Sequence, residues 1–274
     1  MTILFVPGFA SSQKPGVAQG FIDELQRLTS EEVIYAPSQR TLVLDDVEDS
    51  ETLIQAQVSN ILDRIEEAAL EDPEVYARGM IAIGHSLGAL WITALALELP
   101  MIQRLVLLSP ASLYEQRFVD IASGLFRKSK YSLLSKEEGV TKLTLQQGWE
   151  SRGYFGFGIA RWKLLRAEII AACKPLLPEY LKRLFEPDDQ GYVRNLEVWA
   201  AFPEHDKMFR RADVSRALRE LEEQGIVVNR LRLFGGVGHD AHFWIDPVVR
   251  ALWNGNLLEA DEVIEEDIDA ADGS

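Results

Sequence analysis

Short apolar runs alternate with amphipathic stretches along most of the chain. Ile3-Leu4-Phe5-Val6 is a continuous apolar run, and residues 17–28 place Val17, Phe21, Leu25 and Leu28 at helical spacing. Val33-Ile34-Tyr35-Ala36 predicts a second strand, closed by Pro37. Asp49-Ser50 precedes a long helix with Leu53, Ile54, Val58, Ile61, Leu62 and Ile65 on one face. Met80-Ile81-Ala82-Ile83 predicts a third strand, residues 89–99 an apolar helix stopped by Pro100, and Leu105-Val106-Leu107-Leu108 a fourth strand ending in Ser109-Pro110. Two further strands come late, Leu196-Glu197-Val198-Trp199-Ala200 and Arg230-Leu231-Arg232-Leu233-Phe234, with a charged helix over 212–224 between them. Strands this apolar, separated by helices, predict an α/β fold: a mostly parallel sheet of about six strands, covered on both faces. Right-handed crossovers would wind it into a three-layer sandwich.

The alternation breaks between Ser112 and Asn195, where no strand pattern appears. Leu143-Thr144-Leu145, Trp162-Lys163-Leu164-Leu165, Leu176-Leu177 and the run from Tyr180 to Phe185 read as helical or irregular, around a central Gly153-Tyr154-Phe155-Gly156-Phe157-Gly158. A structureless loop of that length does not suit a compact domain, so the segment reads as a helical cap over the carboxyl edge of the sheet. The expected organisation is a core in two parts, 1–110 and 196–257, a helical cap or lid over 111–195, and a terminal tail over 258–274.

Charge changes this picture in one place. The chain has 274 residues and a formal charge of −15. From Glu259 onward there are eight acidic residues and no basic one, which reads as a solvated, disordered tail. An acidic protein is also a poor match for nucleic acid, which wants a basic face. The 111–195 segment runs against the trend, with 14 Lys and Arg against 10 Asp and Glu. Together with Trp149, Phe155 and Phe157, that permits an apolar or aromatic pocket with a cationic rim. No apolar window is long enough to span a membrane, and the opening Met1–Gly8 stretch reads as a strand and turn rather than a signal peptide. The single cysteine, Cys173, lies in an apolar context and reads as a buried thiol; it excludes an internal disulfide and suits a reducing, cytoplasmic setting.

The sharpest chemistry is Gly84-His85-Ser86-Leu87-Gly88, directly after the third strand and directly before an apolar helix. A serine exposed on a tight strand-to-helix turn needs small neighbours, because a Cβ at either glycine would meet backbone. The helix N-terminus beneath Ser86 favours developing negative charge. A serine hydroxyl is a weak nucleophile at neutral pH and needs a base. Of four histidines, His85 sits inside the motif and faces away from the serine. His239 follows the last strand through Gly235-Gly236-Val237-Gly238, at the sheet edge where α/β proteins bind ligands. His239 is therefore the expected base, with His242, three residues on, as the competitor or a helix cap. The spacing of these two histidines also invites a metal, but no further ligand cluster accompanies it. Asp206, just past the fifth strand, is the expected carboxylate partner, with Glu204 the alternative. The backbone N–H groups of Phe9, after Pro7-Gly8, and of Leu87 would form the oxyanion hole.

Val6-Pro7-Gly8-Phe9, Gly84-His85-Ser86-Leu87-Gly88, Asp206 and Gly238-His239 together resemble the α/β-hydrolase superfamily. The resemblance runs from Thr2 to about Asn254 and leaves the cap without a recognisable motif. It implies the α/β-hydrolase fold, a Ser86–Asp206–His239 triad in the chain order usual for it, an ester-like small-molecule substrate and no cofactor. The first strand would correspond to the third of the usual core, giving six strands without the N-terminal hairpin. Pro7 stands where many relatives carry histidine, and serine in the motif separates the chain from branches that use aspartate there. The same residues also fit acyl transfer, C–C hydrolysis or a lyase reaction, and a hydrolase-like fold can serve as a ligand receptor or scaffold.

Overall fold

A computed structural model of the chain describes residues 1–8, 18–37, 49–77, 79–121, 159–203, 206, 208–209, 211–233, 248–249 and 252. Six strands form one sheet: β1 Thr2–Val6, β2 Val33–Tyr35, β3 Met80–His85, β4 Ile102–Leu108, β5 Glu197–Pro203 and β6 Asn229–Leu233. Their order is β2-β1-β3-β4-β5-β6, and all five pairings are parallel. The chain winds outward from β1 to β2, then restarts beside β1 with β3 and winds the other way. The exits of β1 and β3 therefore lie side by side, at the kind of switch point where ligands bind in open α/β sheets.

Strand alternation sorts the core into two layers. Ile3, Phe5, Ile81, Ile83, Val106 and Leu108 face α1 (Gln19–Thr29) and the residues Val248, Val249 and Leu252. Leu4, Val6, Met80, Ala82, Leu105 and Leu107 face the opposite layer, built from α2 (Ser50–Glu71), α3 (Gly88–Glu98), α4 (Ile159–Cys173), α5 (Leu176–Phe185) and α6 (Arg211–Glu223). That period of two, on strands with both faces buried, is why the runs read as unbroken hydrophobic stretches. α3 is apolar all round, and its residues from Gly88 to Ala96 are all buried, as a central helix should be.

Two helix ends have a visible cause. Asp49 caps α2 by accepting the Thr52 N–H at 2.8 Å, and that bond holds the exposed Asp49 carboxyl below its usual range. The far end of α3 is closed from a distance. The half-buried Arg194 guanidinium donates to the carbonyls of Ala96, Leu99, Pro100 and Ile102, the last three at 2.8, 2.9 and 2.6 Å. A cation gathering the orphan carbonyls at a helix C-terminus offsets both their lost bonds and the dipole.

Several boundaries moved. β4 begins at Ile102 rather than Leu105, because Ile102 pairs with Met80 of β3, and the polar Arg104 is accommodated by Glu197, in register on β5, at 2.6 Å. β5 runs on to Pro203, which pairs with Leu233 on the edge strand β6. The polar Asn229 and Arg230 of β6 fit an edge position, and Arg230 reaches Glu222 of α6 at 2.5 Å. Two helices, α4 and α5, stand between β4 and β5. α5 buries Leu177, Leu181 and Leu184 along one stripe, in the same apolar cluster as α2 and α3. Residues 122–158, with the 143–145 and 153–158 stretches, lie outside the described residues, as does the acidic tail. Cys173, expected to be buried, is half-buried at the end of α4; burial, and then Asp120, push its thiol pKa up. No described helix is long and apolar enough to cross a membrane.

Candidate active site

Ser86 follows β3 immediately and has a left-handed backbone, with φ of 54°. For a residue with a Cβ this conformation is strained, and three backbone bonds hold it. The Ser86 N–H donates to Leu108 O at 2.8 Å, while the Ser86 carbonyl accepts from Ala89 N and Ala111 N, both at 3.1 Å. The turn is thus gripped from α3 on one side and from the exit of β4 on the other.

The glycines of the motif are there for space. A Cβ on Gly84 would stand 2.6 Å from Gly88 O and 2.7 Å from Ala89 N, inside any real contact. A Cβ on Gly88 would overlap the Val6 carbonyl of β1 and stand 2.8 Å from Pro7 O. Gly8, at the exit of β1, faces Ser86 directly: its Cβ would lie 2.7 Å from Ser86 Cβ and 2.8 Å from His85 O. β1, β3 and α3 therefore meet at backbone-to-backbone distance around one serine.

Leu87 is buried and forms the N-cap of α3. Its N–H has no backbone acceptor among the described residues, as expected at a helix start. His85, beside the serine, is also buried, and its ring lies close to Gly8.

Asp206 lies three residues beyond β5. Its N–H donates to Pro203 O at 3.4 Å, and its Oδ1 accepts from Met208 N at 2.8 Å and Phe209 N at 3.2 Å. These bonds form an Asx turn that leads into α6 and fix the carboxylate at the carboxyl edge of the sheet. Phe209, buried beneath it, anchors the turn.

The structure brings Ser86, Leu87 and Asp206 to one edge of the sheet, with β4 between the strands that carry the serine and the acid. Phe9 and His239 lie outside the described residues, together with His242 and Glu204. The sequence reading missed the exit of β4. Leu108 and Ala111, on either side of Ser109-Pro110, hold the backbone of Ser86, and their only linear signal is the break from apolar residues to Ser-Pro.

Comparison with known proteins agrees with this architecture. The family model described as "Alpha/beta hydrolase family" matches residues 3–265. Among solved structures, the chain is similar to a thermophilic esterase from Thermogutta terrifontis, with 11% identity, TM-score 0.59, and 96% of this chain and 91% of that one covered. It is similar to the thioesterase domain from the curacin biosynthetic pathway, with 16% identity, TM-score 0.53, and coverage of 92% and 90%. It is also similar to carboxyl esterase 2 from the mycorrhizal fungus Tuber melanosporum, with 15% identity, TM-score 0.50, and coverage of 94% and 76%. No curated protein gives a significant match. With a six-stranded parallel sheet, a serine locked on the turn between β3 and α3, and a family match over nearly its whole length, the chain belongs to the alpha/beta hydrolase family.

Proposed function

We propose that the protein is a serine hydrolase that cleaves an ester-like bond, a carboxylester, thioester or lactone, through an acyl-enzyme on Ser86. The observation that carries this reading is the left-handed Ser86, held on a strand-to-helix turn where Gly8, Gly84 and Gly88 leave no room for a Cβ. Strain at a residue so thoroughly held points to function.

In this reading His239 takes the Ser86 Oγ proton as the oxygen attacks the substrate carbonyl. Asp206 orients the imidazole and stabilises it once charged. The backbone N–H groups of Phe9 and Leu87 donate to the oxyanion. The imidazolium then returns the proton to the leaving alcohol or thiol, which leaves the acyl group on Ser86. A water molecule, deprotonated by the same imidazole, attacks the acyl-enzyme, and the proton passes back to Ser86 as the acid is released. Every proton is accounted for among Ser86, His239 and water, so the cycle uses no cofactor.

In this reading the substrate is a small molecule with an apolar or aromatic part, and the 111–195 segment selects it. The setting is cytoplasmic. The esterase and thioesterase names of the similar structures are in line with this chemistry.

Labelling with a fluorophosphonate probe tests the reading. The expected result is rapid modification of the wild type that is lost in both Ser86→Ala and His239→Ala. A folded wild type that the probe does not label would overturn it and favour a receptor or scaffold role. Labelling without turnover of simple aryl esters would point to acyl transfer or C–C cleavage by the same residues.

A further inference from the structure

Among the described residues, four other than glycine hold a left-handed backbone, and all four are serines: Ser30, Ser86, Ser109 and Ser112. Three account for themselves. Ser30 closes the C-terminus of α1, and Ser86 is the nucleophile of the proposed reaction. Ser112 uses its hydroxyl fully: Oγ lies 2.6 Å from Lys174 O and 3.0 Å from Ala171 O, and it accepts the Leu176 N–H at 3.2 Å. It ties the exit of β4 to the junction of α4 and α5.

Ser109 is different. Its φ is 46°, it is 1% exposed, and its Oγ has no hydrogen-bond partner among the described residues. Glycine or asparagine would adopt this backbone more readily, and the hydroxyl makes no local bond to support the turn. Buried hydroxyls almost always find partners. A donor left over at this position is available to a group that enters the site.

Its position says which. Leu108, one residue before, accepts the Ser86 N–H; Ala111, two residues after, donates to the Ser86 carbonyl. The Ser109 N–H itself donates to Ala201 O of β5, the strand that leads to Asp206, at 2.9 Å. Neighbouring strands stand about 4.8 Å apart, so the ends of β3 and β5 are separated by about 10 Å. An imidazole with a hydrogen bond at each nitrogen spans about 8 Å. A base that links Ser86 to Asp206 therefore crosses the end of β4, over Ser109.

We propose that Ser109 is a positioning residue for the acid–base pair: its hydroxyl donates to the Asp206 carboxylate when the imidazole bridges Ser86 and Asp206. This rests on the serine-hydrolase reading above. The carboxylate has capacity for it, since an ionised carboxyl accepts about four hydrogen bonds and Oδ1 takes those of Met208 and Phe209. A donor from Ser109 would fix the face that the carboxylate presents to the imidazole.

The test is the rate of Ser86 labelling by a fluorophosphonate as a function of pH, with thermal unfolding measured alongside. Ser109→Ala keeps the Cβ, and so the same backbone demand, while removing only the hydroxyl. Ser109→Gly removes the hydroxyl and relaxes the backbone. Both are expected to fold and to label roughly 10- to 100-fold more slowly at neutral pH, the worth of one hydrogen bond to a charged group. The midpoint of the rise in rate with pH should move upward in both, because a carboxylate with one donor fewer holds the imidazolium more firmly. A merely structural serine would lower thermal stability and leave that midpoint in place, which overturns the proposal. So does wild-type labelling in Ser109→Ala, or recovery of the wild-type rate in Ser109→Gly. If Ser109→Ala fails to fold, Ser109→Gly alone decides by the same criteria. Absence of labelling in the folded wild type overturns the hydrolase reading and this inference together; Ser86-dependent labelling that Ser109 does not affect overturns only the inference.

Discussion

Replacing Gly88 by alanine adds a single methyl group at the point where β1 and α3 touch. An ideal Cβ there would overlap the Val6 carbonyl and stand 2.8 Å from that of Pro7, against the ordinary carbon–oxygen contact of about 3.4 Å. Relief needs roughly 1 Å of separation between β1 and the start of α3. Neither side has slack. Val6 and Leu87 are 0% and 1% exposed, and β1 is hydrogen-bonded on both edges, to β2 and to β3. Overpacking of this kind costs about 1–3 kcal/mol, and here the obstacle is backbone rather than a flexible side chain, so the upper end applies. For a chain of this size, that corresponds to a fall in Tm of roughly 6–12 °C.

The functional effect should be the larger one. The proposed oxyanion donors sit on the two elements being pushed apart, Phe9 after β1 and Leu87 at the start of α3. Losing one such donor costs roughly 100- to 1,000-fold in kcat. Thermal unfolding followed by circular dichroism gives the first quantity, and turnover of a p-nitrophenyl ester gives the second. Gly88→Ala with Tm within 1 °C of the wild type and unchanged turnover would refute the claim that this glycine is required for close approach.

Two further outcomes follow from interactions away from the serine. Arg194→Ala leaves four carbonyls between the end of α3 and the start of β4 without their cation, which should cost about 2–3 kcal/mol and roughly 5–10 °C in Tm, while the KM of an active enzyme stays unchanged; an unchanged Tm would show that water replaces the guanidinium at no penalty. Cys173 has a raised thiol pKa, so its thiolate fraction at neutral pH falls below that of an ordinary cysteine. Alkylation of the native protein by iodoacetamide should therefore be slower than in urea and should rise with pH beyond the range where a free thiol saturates, and rapid native-state alkylation at pH 7 would contradict the assignment.

Much of the architecture is legible in the linear chain because the physics behind it is local. An apolar run of four to six residues followed by a helical period is a strand and its crossover whatever surrounds it, so the order of elements from β1 to β6 can be read from hydrophobicity alone. The Gly-His-Ser-Leu-Gly motif is legible for the same reason: the strain at Ser86 and the crowding at Gly84 arise within a few residues, between the end of β3 and the first turn of α3. Asp206 is harder, since one loop carboxylate looks like another. Only its place after a strand marks it, and the backbone bonds from Met208 and Phe209 appear once the turn is folded.

What the sequence by itself determined, then, is the alternation of elements, the two-layer burial of each strand and the identity of the strained serine. The tertiary structure decided which strands are neighbours and what each close contact excludes. Nothing near Gly88 in the chain announces that it must admit the Val6 carbonyl, nothing near Arg194 announces the end of α3, and nothing near Ser109 announces that it lies between the strand that ends at Ser86 and the strand that leads to Asp206. These relations join residues far apart in sequence, where no local periodicity links them. They are set by the order in which parallel strands pair, which backbone hydrogen bonding and the burial of both sheet faces fix together.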